Sequence, residues 1–446
     1  MMRASSMGVS ALALAATALL AGCGGDPAAP AATQIGANPP LPAQKRYLIP
    51  PIKVAPPAGW HQGETPTVAA GLKIEALATG FEHPRQPYVL PNGDILVVES
   101  NGPGYEPVTR PKELIMGWVM KYAGAGAKGG NRITLIRDAN GDGKPELRSV
   151  LIDHLVSPFG IVLVGGDLYV ANTDAIVRYP YQTGQTTITA PGTLVTELPG
   201  GPIDHHWTKS LTASPDGSKL YVGVGSNSNI TENGIEAEKN RAAVWEVDRA
   251  TGAHRVFASG LRNPNGLTVE PTTQQLWVVV NERDEIGQNL VPDYLTSVKD
   301  GAFYGWPYSY YGQHVDPRVM PQRPDLVAKA IAPDYSLSSH VAPLGLTFYT
   351  AGALPGYQGG AFIGEHGSWD RNVFNGYRVV YVPFANGRPS GKAQDVVTAF
   401  LDKDGHARGR PVGLAVDRTG GLLIADDLGN TVWRVTAATP RQVAAR

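Results

Sequence analysis

Only one cysteine, Cys23, occurs in the 446 residues, so no disulfide can form within the chain. Stability in an oxidising compartment must then come from packing. Charge is scarce as well. Asp, Glu, Lys and Arg make up 17% of the residues, and acids and bases nearly cancel to a formal net charge of −1. That balance argues against a nucleic-acid binder working by bulk electrostatics, which would carry a basic patch or stripe. The apolar stretch from Gly8 to Leu20 falls well short of the roughly 20 residues a bilayer span needs. Long helical patterns are scarce, whereas 53 glycines and 37 prolines indicate a turn-rich, strand-rich chain. Length alone admits one large domain or two to three small ones.

The first 22 residues have the anatomy of a secretory signal: one positive charge at Arg3, then the apolar stretch. They close on Leu20-Ala21-Gly22-Cys23, which resembles the bacterial lipobox and places Cys23 where lipidation requires it. The expectation is an exported, membrane-anchored lipoprotein facing the periplasm or the cell exterior. Residues 23–63, rich in proline and alanine, lack the apolar periodicity of a core and read as an extended tether. Residues 439–446 read as a short C-terminal tail.

Between them, residues 64–438 repeat one loose phrase six times: a turn, a short apolar strand, a Gly or Asp turn, and a second apolar strand. The instances are "EHPRQPYVLPNGDILVVES" (82–100), "VSPFGIVLVGGDLYVANT" (156–173), "HHWTKSLTASPDGSKLYVGVG" (205–225), "LRNPNGLTVEPTTQQLWVVVN" (261–281), "HVAPLGLTFY" leading to "GGAFIGEHG" (340–367), and "RGRPVGLAVDRTGGLLIADD" (408–427). Each pairs β-branched or aromatic runs around a hairpin turn. Repeats 50 to 80 residues apart, each able to supply four strands, are the signature of propeller blades. The fold expected is all-β, a six-bladed β-propeller.

The residues just before each inner strand differ between repeats: His83 and Arg85; Ser157 and Phe159; His205, His206 and Lys209; Arg262 and Asn263; His340; Arg408 and Arg410. In a propeller these lead-in loops open onto one mouth of the central channel, and loops on a rigid frame carry function. The mouth should therefore be cationic, rich in histidine, and suited to an anionic ligand.

"GLRNPNGL", "FYGWPYSYYG", "GEHGSW" and "RGRPVGLAVDRTGGLLIADD", in that order, resemble the soluble, pyrroloquinoline quinone (PQQ)-dependent glucose and sorbosone dehydrogenases, most of all the sorbosone dehydrogenase-like branch. The resemblance implies oxidation of an aldose to a lactone, or of a sorbosone-type aldehyde to an acid, by hydride transfer to PQQ. It implies His206 as general base, for which a histidine titrating near working pH is suited. Arg262 and Asn263 match the family's PQQ-contacting pair, with Arg262 also polarising the quinone carbonyl. Arg408 and Arg410 match its Arg-x-Arg grip on PQQ carboxylates, a role that suits guanidinium forks. The family's PQQ-binding lysine is replaced by Glu365-His366-Gly367, with His366 or Arg371 as substitute, and His205 stands where an aspartate partner of the base is expected.

A calcium ion is also implied, held by backbone carbonyls near Asn281 and Glu282 and acting as a Lewis acid. Independently, "DANGDGKPE" places Asp138, Asn140, Asp142 and Glu146 around Gly143, with oxygen ligands at alternate positions as at the start of a calcium loop. It reads either as a hairpin-borne structural calcium site or as a plain polar turn. Trp306 and Tyr308 are candidates for an aromatic rim against a sugar face, or for packing plugs. The partners expected are a small sugar, an electron acceptor (quinone or cytochrome) and a membrane through the lipid. A six-bladed calcium lactonase or a non-catalytic binding propeller are the alternatives, since the fold hosts all three.

Overall fold

Each repeated phrase folds as the two inner strands of an antiparallel sheet in the computed structural model, which describes residues 27–47, 51–104, 106–108, 110–124 and 129–438. Cys23 and the signal region lie outside the described residues. Blade I consists of Pro84–Val89, Ile95–Glu99, Arg132–Arg137 and Leu147–Ile152. Blade II is Gly160–Val164, Asp167–Ala171, Ala175–Pro180 and Thr193–Glu197. Blade III is Leu211–Ala213, Lys219–Val224, Ala243–Asp248 and His254–Ser259. Blade IV is Asn263–Val269, Leu276–Asn281, Pro292–Ser297 and Tyr335–Ser339, and blade V is Pro343–Phe348, Ala361–Glu365, Arg378–Val382 and Gln394–Thr398. Blade VI closes the ring by mixing the two ends of the chain: Pro411–Val416, Leu422–Asp426 and Thr431–Ala437 pair with Leu72–Thr79 as outermost strand.

Alternating apolar side chains on these strands bury between neighbouring blades. The cluster between blades IV and V, for example, joins Trp277, Val279 and Leu337 to Leu346, Ile363 and Val380. Burying each such aliphatic side chain is worth about 1.5–3 kcal/mol. Toward the axis the strands converge until backbones touch. A Cβ on Gly345 of blade V would sit 2.1 Å from the Val412 carbonyl oxygen of blade VI, so only glycine fits there. Phe159, Leu344 and Val412, with Trp207 against them, fill part of the centre.

The tether expectation for residues 23–63 meets a different picture. Ile35–Gly36 pairs with the outer edge of blade IV as a fifth strand, Ile35 opposite Leu337. Gln34 is buried and accepts hydrogen bonds from the Ser338 and Ser339 hydroxyls at 3.0 and 2.9 Å. Further on, Ala55 is fully buried in the core, and the Ala58 amide donates to the Ala407 carbonyl at 2.7 Å. Sparse but well-placed polar and apolar groups dock the segment where composition alone suggests a spacer. The long connection after the second strand of blade I carries the helix Pro111–Tyr122, which lies on the same face as the lead-in loops.

Candidate functional site

The lead-in loops need a sharp reversal from one blade's outer strand to the next blade's inner strand. Three residues before the inner strand, blades II, IV and V place Ser157, Gly260 and His340 at φ 44°, 76° and 60°. Non-glycine residues there accept left-handed strain, which concentrates where surrounding structure over-determines it. Their side chains, with those following, gather at one mouth of the channel.

His206 of blade III occupies the centre of the first group. Its Nδ1 lies 3.0 Å from the Ser226 carbonyl oxygen and 2.9 Å from the Ser226 hydroxyl, whose own proton goes to the Ser228 carbonyl. Both neighbours thus offer lone pairs, so Nδ1 carries the imidazole proton and Nε2 is left basic. Burial, then the positive Arg262 and the adjacent His205, hold the His206 pKa well below its ordinary value. His206 is therefore neutral at pH 7. Asn263 adjoins it: a Cβ on Gly225 would sit 2.4 Å from the His206 Cβ and 2.7 Å from the Asn263 Oδ1, an atom buried without a hydrogen-bond partner among the described residues. Gly225→Ala should accordingly cost about 1–3 kcal/mol through overpacking and lower turnover per folded molecule, read by urea unfolding alongside a rate assay. Unchanged stability and rate would mean this close approach is immaterial.

The second group surrounds Arg262. Its Nη2 donates to the Asn229 side-chain oxygen at 2.9 Å and to Asp284 at 3.1 Å, and its Nη1 reaches the Asn281 carbonyl at 3.3 Å. Asp284 also accepts from His340 Nδ1 at 3.1 Å. One ligand atom each from Asp284, His340 and Asp370 lie within 4.8 Å of one another, and Asp370 Oδ1 is buried with no hydrogen-bond partner among the described residues. Burial opposes a charge on His340, but the Asp284 hydrogen bond and the charge of Asp370 raise it to about 9. Burial and the nearby Asp284 push Asp370 up to about 6, against the pull of His340.

A third group centres on Asp427 at the end of blade VI. It bonds Arg85 Nη1 closely, accepts from His366 Nε2 at 3.0 Å, and lies 3.8 Å from His83. Burial favours the neutral acid, yet His366 and Arg85 hold its carboxyl far below the usual range. Arg85 also spans Phe159 and Trp207, 5.6 and 5.5 Å from their ring centroids. Arg410 donates Nη2 to the Ala123 carbonyl at 2.7 Å and the Ala55 carbonyl at 3.2 Å, leaving Nε and Nη1 without a hydrogen bond among the described residues. Arg408 is half-buried and faces Glu64 at 3.6 Å.

One expectation is corrected. The mouth is less cationic than its lead-in residues suggest, because acids from the loops after the second strands neutralise them. Asp284, Asp370 and Asp427 follow those strands in the phrases "NERDE", "SWDRN" and "ADD". An uncompensated buried charge is strongly destabilising, so a lead-in arginine on a buried strand signals a nearby acid. Lys209 is fully buried on Asp204 at 3.2 Å and burial lowers it to about 8, so it faces no ligand. His366 is bound into the Asp427 group, and Arg371 donates to Ser339 and the Ala29 carbonyl. His205 is exposed, 3.6 Å from Glu106. The Asn281 carbonyl reaches the mouth beside Arg262 at 3.3 Å, and the Glu282 carboxylate, which the carbonyl expectation does not use, pairs with Arg283 at 3.2 Å. Trp306 and Tyr308 are buried plugs; Trp306 lines a cavity of about 410 Å³ with Phe303 and Arg241, and its indole N–H donates to the Asn229 carbonyl at 3.1 Å, which Arg262 Nε also reaches. The Asp138, Asp142 and Glu146 carboxylates converge on an exposed turn, where Asp138 accepts from the Gly141 and Gly143 amides at 2.8 Å, and Asn140 bonds the Asp142 amide. That geometry suits a self-satisfied turn and a cation loop alike.

Residues 167–368 match the family model described as glucose/sorbosone dehydrogenase, and residues 324–438 match one described as TrAA12-like. An uncharacterized protein of Borreliella burgdorferi is 28% identical over 241 residues, 53% of this chain and 62% of its own length. A pyrroloquinoline quinone-dependent pyranose dehydrogenase of Coprinopsis cinerea is 25% identical over 291 residues, 55% of this chain and 39% of its own length. The chain thus spans less than two thirds of the length of these curated relatives. The holo structure of the PQQ domain of the Coprinopsis cinerea pyranose dehydrogenase superposes with a TM-score of 0.67 at 21% identity, covering 86% of this chain and all of that one, which establishes the shared propeller fold.

Proposed function

We propose that this chain, whose residues 167–368 match the glucose/sorbosone dehydrogenase family model, oxidises a sugar, an aldose or the hydrate of a sorbosone-type sugar aldehyde, using PQQ and calcium. The observation that carries this reading is His206: neutral, basic at Nε2, and set beside Arg262 and Asn263 at the channel mouth.

The donor set suits a tricarboxylate cofactor. Among the described residues, Arg410 has two guanidinium nitrogens without a hydrogen bond, Arg408 is only loosely paired, and Asn263 has an unpartnered buried oxygen. PQQ, when bound, supplies a two-electron acceptor for the hydride leaving the sugar carbon. The chain supplies the rest. His206 Nε2 takes the proton of the hydroxyl on the carbon that loses the hydride, the anomeric hydroxyl of an aldose or one hydroxyl of a hydrated aldehyde, and the Ser226 carbonyl holds the imidazole in the required tautomer and steadies the cation that forms. Arg262 places positive charge where negative charge develops, and burial together with that charge keeps His206 unprotonated beforehand. Asp284 and Asp370 would hold the calcium beside the backbone carbonyls near Asn281 and Glu282, because hard cations take oxygen ligands and Asp370 has a carboxylate oxygen without a partner among the described residues.

Addition of PQQ and Ca²⁺ to the purified protein should produce sugar-dependent dye reduction, and either alone should produce little. Arg408→Ala and Arg410→Ala should each weaken PQQ binding. A charge-assisted contact is worth about 1.5–3 kcal/mol, hence roughly ten- to a hundredfold in Kd. Unchanged titrations in both variants would remove the clamp. The carboxylates of Asp284 and Asp370 also favour a second reading, a calcium-dependent lactonase. Lactone hydrolysis with Ca²⁺ but without PQQ, abolished by chelation, would select it.

A further inference from the structure

The helix Pro111–Tyr122 is apolar on both faces. Met116, Val119 and Ala123 turn toward the propeller, while Leu114, Ile115, Trp118 and Tyr122 turn outward and are 61, 64, 70 and 52% exposed. An amphipathic surface helix would carry polar residues on that outer side. Here the outer side holds a Trp118–Tyr122 stack, centroids 6.1 Å apart and planes within 16°. Trp and Tyr with aliphatic neighbours and flanking lysines are the composition of a segment lying at a bilayer interface. By sequence, residues 101–131 carry four basic residues against two acidic ones, a composition suited to anionic headgroups, and Lys121 in the last turn of the helix is exposed. Twelve residues are too few to cross a membrane, and no described helix is long and apolar enough to do so.

The route of the N-terminal segment points the same way. The Asn289 amide donates to the Pro27 carbonyl at 3.0 Å, and Arg371 donates to the Ala29 carbonyl at 3.0 Å. Both residues lie in loops after second strands, on the face that also carries the helix. Cys23, where the lipobox resemblance expects acylation, precedes Pro27 by four positions, at most about 14 Å of chain. A lipid there would bring this face, not the opposite one, to the bilayer.

We propose that the outer face of helix Pro111–Tyr122 seats in the headgroup layer of an anionic lipid bilayer, so that the channel mouth faces the membrane. The inference is independent of the redox chemistry. Its test uses residues 24–446, which retain every described residue but lack Cys23, so that acylation cannot supply the binding. The probe is vesicles of phosphatidylethanolamine and phosphatidylglycerol. Co-sedimentation is expected, falling roughly tenfold or more in Ile115→Glu/Trp118→Glu. Acyl-chain-brominated lipid should quench a part of the tryptophan fluorescence that disappears in Trp118→Phe while co-sedimentation persists. That second variant keeps the test decisive if the glutamate variant is unfolded. Absence of vesicle binding, or quenching unchanged in Trp118→Phe, overturns the proposal. So does a concentration-dependent dimer abolished by the glutamate variant, which would assign the face to a second copy of the chain.

Discussion

His206→Gln should fold, bind PQQ and calcium, and turn over roughly 10² to 10⁴ more slowly, the usual contribution of a positioned base. Glutamine fills similar space and can still donate to the Ser226 carbonyl, but it has no basic nitrogen to accept a hydroxyl proton. The pH profile gives a second handle. Because burial and Arg262 hold the His206 pKa well below 6.5, the base stays unprotonated above that lowered value. The acid limb of kcat/KM in the intact protein should therefore lie well below pH 6.5. A histidine serving only to pack would give the opposite pattern: lowered stability, with near-normal rates in the surviving folded fraction. Rates per cofactor-loaded molecule separate the two, and a loaded, fully active His206→Gln protein sinks the assignment.

Asp427→Asn should be the most destabilising single change at the mouth. The substitution keeps the shape but leaves Arg85 and the His83–His366 pair around a neutral amide in a fully buried setting. Removing one partner of a buried charge pair costs about 3–5 kcal/mol, measurable by guanidinium unfolding. The sign with pH follows from linkage. The folded carboxyl is depressed below its unfolded value of about 4, so its stabilisation is complete above about pH 4 and fades as pH falls below it. His83 and His366 are also lowered in the fold, chiefly by burial. The unfolded chain thus takes up their protons first, and stability begins to decline below about pH 6.5. Asp427→Asn should flatten the portion below pH 4. An unfolding free energy within 1 kcal/mol of the parent would show that the carboxylate contributes little.

The blades were legible because period-2 alternation and hairpin turns are local signals, repeated six times in register with the inner strand pairs. Convergence of the lead-in residues followed from the ring, so His206, Arg262 and Asn263 could be assembled from positions far apart in sequence. The acids were not legible in the same way. Asp284, Asp370 and Asp427 sit in loops of unequal length after the second strands, and their pairing depends on how those loops fold back, within blade IV for Asp284 and Arg262 and across blades for Asp284 with His340 and Asp427 with Arg85. Lys209 illustrates the same limit: nothing in "HHWTKS" shows that the amine turns inward onto Asp204. The docking of Gln34 and Ala55 was hidden by composition, since a proline-rich stretch with a few anchoring groups looks like one with none.

The join in blade VI has a consequence for the order of events during synthesis and folding. Leu72 pairs with Ala437, so the sheet that locks the ring cannot form until nearly the whole propeller sequence has emerged. Five blades can collapse locally as they appear, but the sixth joins partners more than 350 positions apart, the kind of distant pairing that slows folding. Until it closes, blades I and V each leave an apolar flank uncovered. A nascent chain of this design therefore passes through a late, open-ring stage in which aggregation competes with closure, and the outermost strand from Leu72 acts as a clasp waiting for the last three strands to arrive.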